Sequence, residues 1–138
     1  LVAGLHAGLT YNPWPLMDGR WVPEILWPLS PWWHNFVETV ATVQFNHRIS
    51  AYALLALAIA HAMQVARNFP DHPAARRAAW LAAAVGMQAV GGIVTLLTQV
   101  PIWAGLIHQL GAVLVLAFAV SHLQRLYPPI AAGRPVPA

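Results

Sequence analysis

Apolar residues along this chain fall into three long blocks separated by short polar breaks. The first runs from about Val43 to Ala66, the second from Ala78 to about Val100, and the third from Ile102 to Leu126. Each exceeds the roughly 20 residues that cross ~30 Å of hydrocarbon at about 1.5 Å per residue, so each predicts a transmembrane helix. A further apolar stretch, residues 1–9 "LVAGLHAGL", reads as the tail of a helix that begins upstream, which makes the chain a fragment. The expected fold is an all-α integral membrane helical bundle: three complete transmembrane helices (43–66, 78–100, 102–126) plus that helix end. An outward loop over 10–42 and a cytoplasmic loop over 67–77 join them, and a cytoplasmic tail over 127–138 follows.

The sidedness rests on arginine. Arg67, Arg76 and Arg77 lie in the second connection, and Arg125 and Arg134 lie beyond the third block. Residues 10–42 hold only Arg20, against Asp18, Glu24 and Glu38. The positive-inside rule then places the 67–77 link and the C-terminus in the cytoplasm. The stretch "YNPWPLMDGRWVPEILWPLSPWWHNF" faces outward and carries five Trp and five Pro. Trp favours the headgroup level and repeated Pro blocks a regular helix, so this segment is either an interfacial lid or the lining of an entrance.

Four of the seven histidines fall inside the predicted helices: His47 and His61 on the first, His108 and His122 on the third. Both pairs are 14 residues apart, which returns to within ~40° of the same face about 21 Å further along the axis. His47 lies 20 residues from Arg67, and His108 lies 17 from Arg125. Those separations correspond to heights of ~30 Å and ~26 Å above the arginine level, a mismatch that helix tilt absorbs. The two helices run the same way, so His47 and His108 are expected to face each other near the outer surface. Two imidazoles opposed across a bundle, with no carboxylate or thiolate beside them, suit a six-coordinate heme iron better than zinc, which wants four ligands. His6, His34 and His72 read as loop or helix-end residues.

A porphyrin needs a slot. Ser50, Ala51 and Ala58 lie on the His47 stripe, and Ala104, Gly105, Gly111, Ala112 and Ala119 lie on the His108 stripe. Small residues also let membrane helices pack closely, and Gly86, Gly91 and Gly92 on the middle helix fit that reading equally well. Gln44, one turn before His47, is placed to hydrogen-bond the ring edge. Arg48 or Arg20 is placed to pair with heme propionates, although Arg48 snorkelling to headgroups is an equal alternative. Glu38 lies nine residues before His47. On a continuous helix that is the opposite face, so partnership with His47 requires a break between them.

Composition narrows the class. Hydrophobic residues make up 59 % of the chain and charged residues 8 %, against roughly 25 % charged in soluble domains. There is no Cys, which removes disulfides, thiolate metal sites and Cys nucleophiles from consideration. The seven basic residues are all Arg and form no stripe of the kind nucleic-acid binding needs.

Three blocks carry a family resemblance: "AGLHAGLTYNPWPLMDG", "NFVETVATVQFNHRISAYALLAL" and "LLTQVPIWAGLIHQLGAVLVL". In this order they resemble the C-terminal half of heme A synthase of the alphaproteobacterial and mitochondrial type. The resemblance implies eight membrane helices in two similar four-helix halves. It also implies oxidation of the heme O methyl group to the formyl group of heme A, for cytochrome oxidase, in a bacterial inner membrane. His47 and His108 would be the axial pair of a heme b cofactor in this half. The heme O substrate would lie mainly in the other half, with its own histidines and a catalytic glutamate, leaving this fragment inactive alone. The resemblance implies one outer histidine pair per half, so His61 and His122 would not be ligands. Glu38 falls in a block resembling the family's outer loop and is the weak catalytic candidate here.

The expected reading is thus an oxidoreductase half holding one heme, in contact with membrane lipid, with homo-oligomerisation open and an electron acceptor that the sequence does not name. A cytochrome b-like module is the alternative, with two stacked hemes ligated by His47 with His108 and by His61 with His122. A non-catalytic membrane or assembly subunit with incidental histidines is the third reading.

Overall fold

The structure, a computed structural model, describes residues 2–126. The tail expected over 127–138, with Arg134, lies outside the described residues. Short helices α1 (Ala7–Thr10) and α2 (Asn35–Glu38) precede three long ones: α3 (Val40–Asn68), α4 (Pro73–Leu97) and α5 (Ile102–Leu126). No strand occurs among the described residues, and the three long helices are each long and apolar enough to cross a membrane. The molecule is an integral membrane protein. Helix α4 packs against both α3 and α5 and so forms the middle of the group. Large side chains such as Ile102, Leu106, Leu110 and Leu114 stand exposed on α5, as a lipid-facing surface requires. Backbone groups there are satisfied within the helix, because lipid offers no partner.

Helix boundaries depart from the apolar blocks in physically legible ways. Helix α4 starts at Pro73, five residues before the expected Ala78, so Arg76 and Arg77 ride on the helix and the link shrinks to residues 69–72. His72 is the reason: its Nδ1 accepts from the Ala74 N–H at 3.1 Å, and Pro73 occupies the first helical position, where a missing N–H costs nothing. At the other end α4 stops at Leu97, because Gln99 and Val100 adopt left-handed φ of 62° and 52° ahead of Pro101. The Val100 N–H then returns to the Thr95 carbonyl at 2.9 Å and closes the last turn. In the stretch expected to end a helix, only Ala7–Thr10 is α-helical.

Helix α3 begins at Val40, and its 29 residues span about 43 Å, more than the hydrocarbon needs. The surplus turns lie beneath the Trp/Pro-rich loop, where Ala41, Thr42, Val43, Gln44 and Arg48 are buried. That loop contains a tight turn at Met17–Arg20, with paired backbone bonds of 2.8 and 3.1 Å. Asp18 and Gly19 both have positive φ there, the conformation an Asp-Gly pair adopts readily. Asn35, fully buried, holds the loop's second half: its amide binds the Leu29 N–H and carbonyl and the Trp32 carbonyl, and accepts from the Thr39 hydroxyl. At the arginine end, a small core of Val65, Ala74, Ala75 and Ala78 joins α3 to α4.

Candidate functional site

His47 on α3 and His108 on α5 meet across the bundle, with ring centres 6.4 Å apart and planes 83° apart. Metal–imidazole bonds of about 2.0–2.1 Å, plus about 1.1 Å from each nitrogen to its ring centre, put two trans ligands about 6.2–6.4 Å apart. The observed separation of the ring centres falls at the upper end of that span, with His47 exposed and His108 half-buried. His61 and His122, the pair with the same sequence spacing, are joined directly: their Nε2 atoms lie 2.9 Å apart. Two metal bonds in line would need about 4 Å there. The inner pair is thus joined by a direct hydrogen bond, whereas the outer pair is not.

Helix α4 supplies the wall behind His108. A Cβ on Gly92 would stand 2.8 Å from the His108 Cε1 and 3.2 Å from its Nε2, so only glycine lets the ring lie against this helix. Gly91 faces Nδ1 of the same ring. The Gln88 amide, one turn before Gly92, lies 3.1 Å from His108 Nδ1 and donates to the His108 carbonyl at 2.6 Å. Gly111 on α5 makes room for that amide, since a Cβ there would collide with Gln88 Oε1. Gln88 is a site residue that sequence reasoning missed. Its signal was a lone amide in an apolar span, four residues before Gly92 and therefore on the same face.

The residue set fits a heme. Among the described residues no three His, Cys, Asp or Glu side chains converge as a protein-only metal site would need. Two imidazoles complete six-coordination once a porphyrin provides the equatorial nitrogens. His47 and His108 would hold the iron, and Gln88 would orient the His108 ring. Outer-shell partners of this kind typically contribute 10–100-fold to metal affinity. Gln88→Leu is accordingly expected to weaken heme retention by about 10–100-fold while leaving helix content unchanged, as measured by heme titration and far-UV circular dichroism. Retention equal to the parent chain would remove Gln88 from the site.

The other candidates have different partners from those expected. Gln44 is buried, and its Nε2 donates to the Tyr11 carbonyl at 2.9 Å rather than to the His47 ring. Arg48, only 8 % exposed, does not snorkel, and its two terminal nitrogens are engaged by the loop while its Nε is left without a partner. Its Nη1 donates to the Pro15 and Leu16 carbonyls at 3.3 and 3.2 Å, and its Nη2 to Tyr11 and Pro13 at 2.8 and 3.1 Å. Both side chains are loop clamps. Thr42, whose hydroxyl binds the Leu26 carbonyl, and Asn12, which binds the Leu96 carbonyl at 3.3 Å, act alike. Arg20 forms an exposed ion pair with Glu24 at 3.5 Å.

Glu38 ends α2, and the break that a partnership with His47 would require is present: Thr39 is extended, with φ −83° and ψ 115°, between α2 and α3. The Glu38 carboxylate is nevertheless engaged by His34, with Oε1 2.7 Å from Nδ1, on the exposed side of the loop.

Long apolar helices and a loop clamped onto them define a polytopic membrane protein in which an exposed His47 on α3 faces a half-buried His108 on α5. The chain belongs to the cytochrome oxidase assembly protein family, whose sequence profile matches residues 1–120. Curated relatives are named heme A synthase. The one from Methylobacterium sp. strain 4-46 is 59 % identical over 124 residues, covering 88 % of this chain and 34 % of the relative. Those from Brucella ovis and Brucella abortus are 56 % identical over 122 residues, covering the same shares. The chain thus spans about a third of the length of these relatives. No solved structure matches it.

Proposed function

We propose that this chain is the C-terminal, heme b-binding half of a heme A synthase, an oxidoreductase that converts the heme O methyl group to the formyl group of heme A. The observation that carries the reading is the 6.4 Å separation of the His47 and His108 rings in a chain of this family. A low-spin heme in this position supplies one-electron transfer, and its potential follows from its ligands, hydrogen bonds and burial. The chain's own residues do the rest. His47 and His108 would bind the iron, Gln88 would steady the His108 ring, and Gly91 and Gly92 leave room for that ring against α4. The heme O site would lie mainly in the other half of the protein.

The arginine distribution supports an inner-membrane topology with the loop outside and the Arg67, Arg76, Arg77 and Arg125 end in the cytoplasm. Heme stoichiometry tests the reading. The chain reconstituted with hemin should take up one heme per copy, and His61→Ala should leave that value and the low-spin spectrum unchanged. Two hemes per copy, with one lost in His61→Ala, would instead support the di-heme electron carrier.

A further inference from the structure

The arginine end of the bundle holds a second feature that the heme reading does not use. A cavity of about 410 Å³ opens between the start of α4 and the end of α5, lined by His72, Pro73, Ala74, Arg77, His122 and Arg125 among others. No carboxylate lines it among the described residues. Asp71, next to it in sequence, is exposed and is not part of the lining.

Three independent details indicate what would fill it. His122 is 3 % exposed, bonded through Nε2 to His61, and its Nδ1 is buried without a partner. Arg77 donates through Nη2 to the Ser121 hydroxyl at 3.1 Å and lies 5.5 Å from the centre of the Phe118 ring, which fixes its guanidinium. Its Nε is also buried and unpartnered. The first turn of the 25-residue helix α4 contributes Pro73 and Ala74 to the same wall, where the helix dipole favours negative charge although the Ala74 N–H is taken by His72 Nδ1. Unpaired buried polar atoms are costly, so a wall that leaves Arg77 Nε and His122 Nδ1 without partners favours a polar ligand, and the two arginines favour an anionic one.

We propose that this cavity binds a phosphate-bearing anion, held by Arg77 and Arg125 with His122 at its base. The site lies where the helices leave the apolar layer. A guanidinium matches phosphate oxygens geometrically, and basic pockets between transmembrane helices on the cytoplasmic side are suited to anionic headgroups. The same chemistry is offered by an anionic lipid or by free inorganic phosphate.

The full chain, reconstituted into vesicles of phosphatidylcholine with or without phosphatidylglycerol, tests this by the lipid it retains through delipidation. A parallel titration with inorganic phosphate in detergent, read by thermal shift, tests the free anion. The chain should bind phosphatidylglycerol or phosphate. Arg125→Gln should weaken that binding about fivefold, the effect of one cation near a membrane surface. Arg77→Gln should weaken it at least as much, and Arg20→Gln, at the opposite end, should not weaken it. Lipid retention lost in the variants assigns the site to a headgroup, whereas an arginine-dependent response to phosphate alone assigns it to the free anion. Because Arg77 also holds Ser121, the exposed Arg125 carries the test if Arg77→Gln fails to fold. Binding unaffected by Arg125→Gln, or absent from the parent chain for both probes, overturns the proposal.

Discussion

His108→Ala and His47→Ala are each expected to abolish the low-spin heme spectrum of the reconstituted chain. If the two rings, 6.4 Å apart, share one iron as proposed, removing either would leave it a single protein ligand. The loss should exceed the roughly 10–100-fold that an outer-shell change costs. Added imidazole should restore part of the low-spin signal in His108→Ala, because Gly91, Gly92 and Gln88 still shape the space the ring vacates. His72→Ala is the control. It removes an N-cap worth about 1 kcal/mol of helix stability, yet it lies at the other end of α4 and should leave the spectrum unchanged. Indistinguishable spectra from His108→Ala and His72→Ala would refute the ligand assignment.

Arg48→Leu is expected to lower stability by about 1.5–3 kcal/mol and to free the loop over residues 11–16. Proline has no N–H, so a segment containing Pro13 and Pro15 is short of donors for its own carbonyls. Arg48 serves four carbonyls of residues 11–16 from beneath, and leucine would remove all four bonds, leaving only the Gln44 amide on the Tyr11 carbonyl. Arg48→Lys should recover little, because one ammonium cannot reproduce a planar fork that reaches four oxygens. The measurements are thermal unfolding and limited proteolysis of the loop. Parent-like melting together with an uncleaved loop in Arg48→Leu would sink the clamp.

These outcomes separate what a linear pattern encodes from what it leaves open. The membrane helices were legible because lipid imposes one rule over a whole span: an apolar length and an internally bonded backbone. Their ends were less so. The early start of α4 depends on a cap made by a single His72 side chain, which no hydropathy average registers. Gln44 and Arg48 read as cofactor partners because they stand beside a histidine on one helix. Their actual partners are carbonyls some 32 to 37 positions away in sequence, in a loop that has no regular pattern.

The amino-acid sequence by itself determined that this is an all-α membrane bundle, that four histidines occupy two stripes, and that His47 and His108 share a level. Only the tertiary structure distinguished the two levels. Helical periodicity sets the face and height of a side chain but is silent on the distance between helices. That distance depends on what α4 places between α3 and α5. At one level, Gly91, Gly92 and Gln88 seat His108 so that its ring stands at metal spacing from His47. At the other, His61 and His122 close onto each other in a direct hydrogen bond.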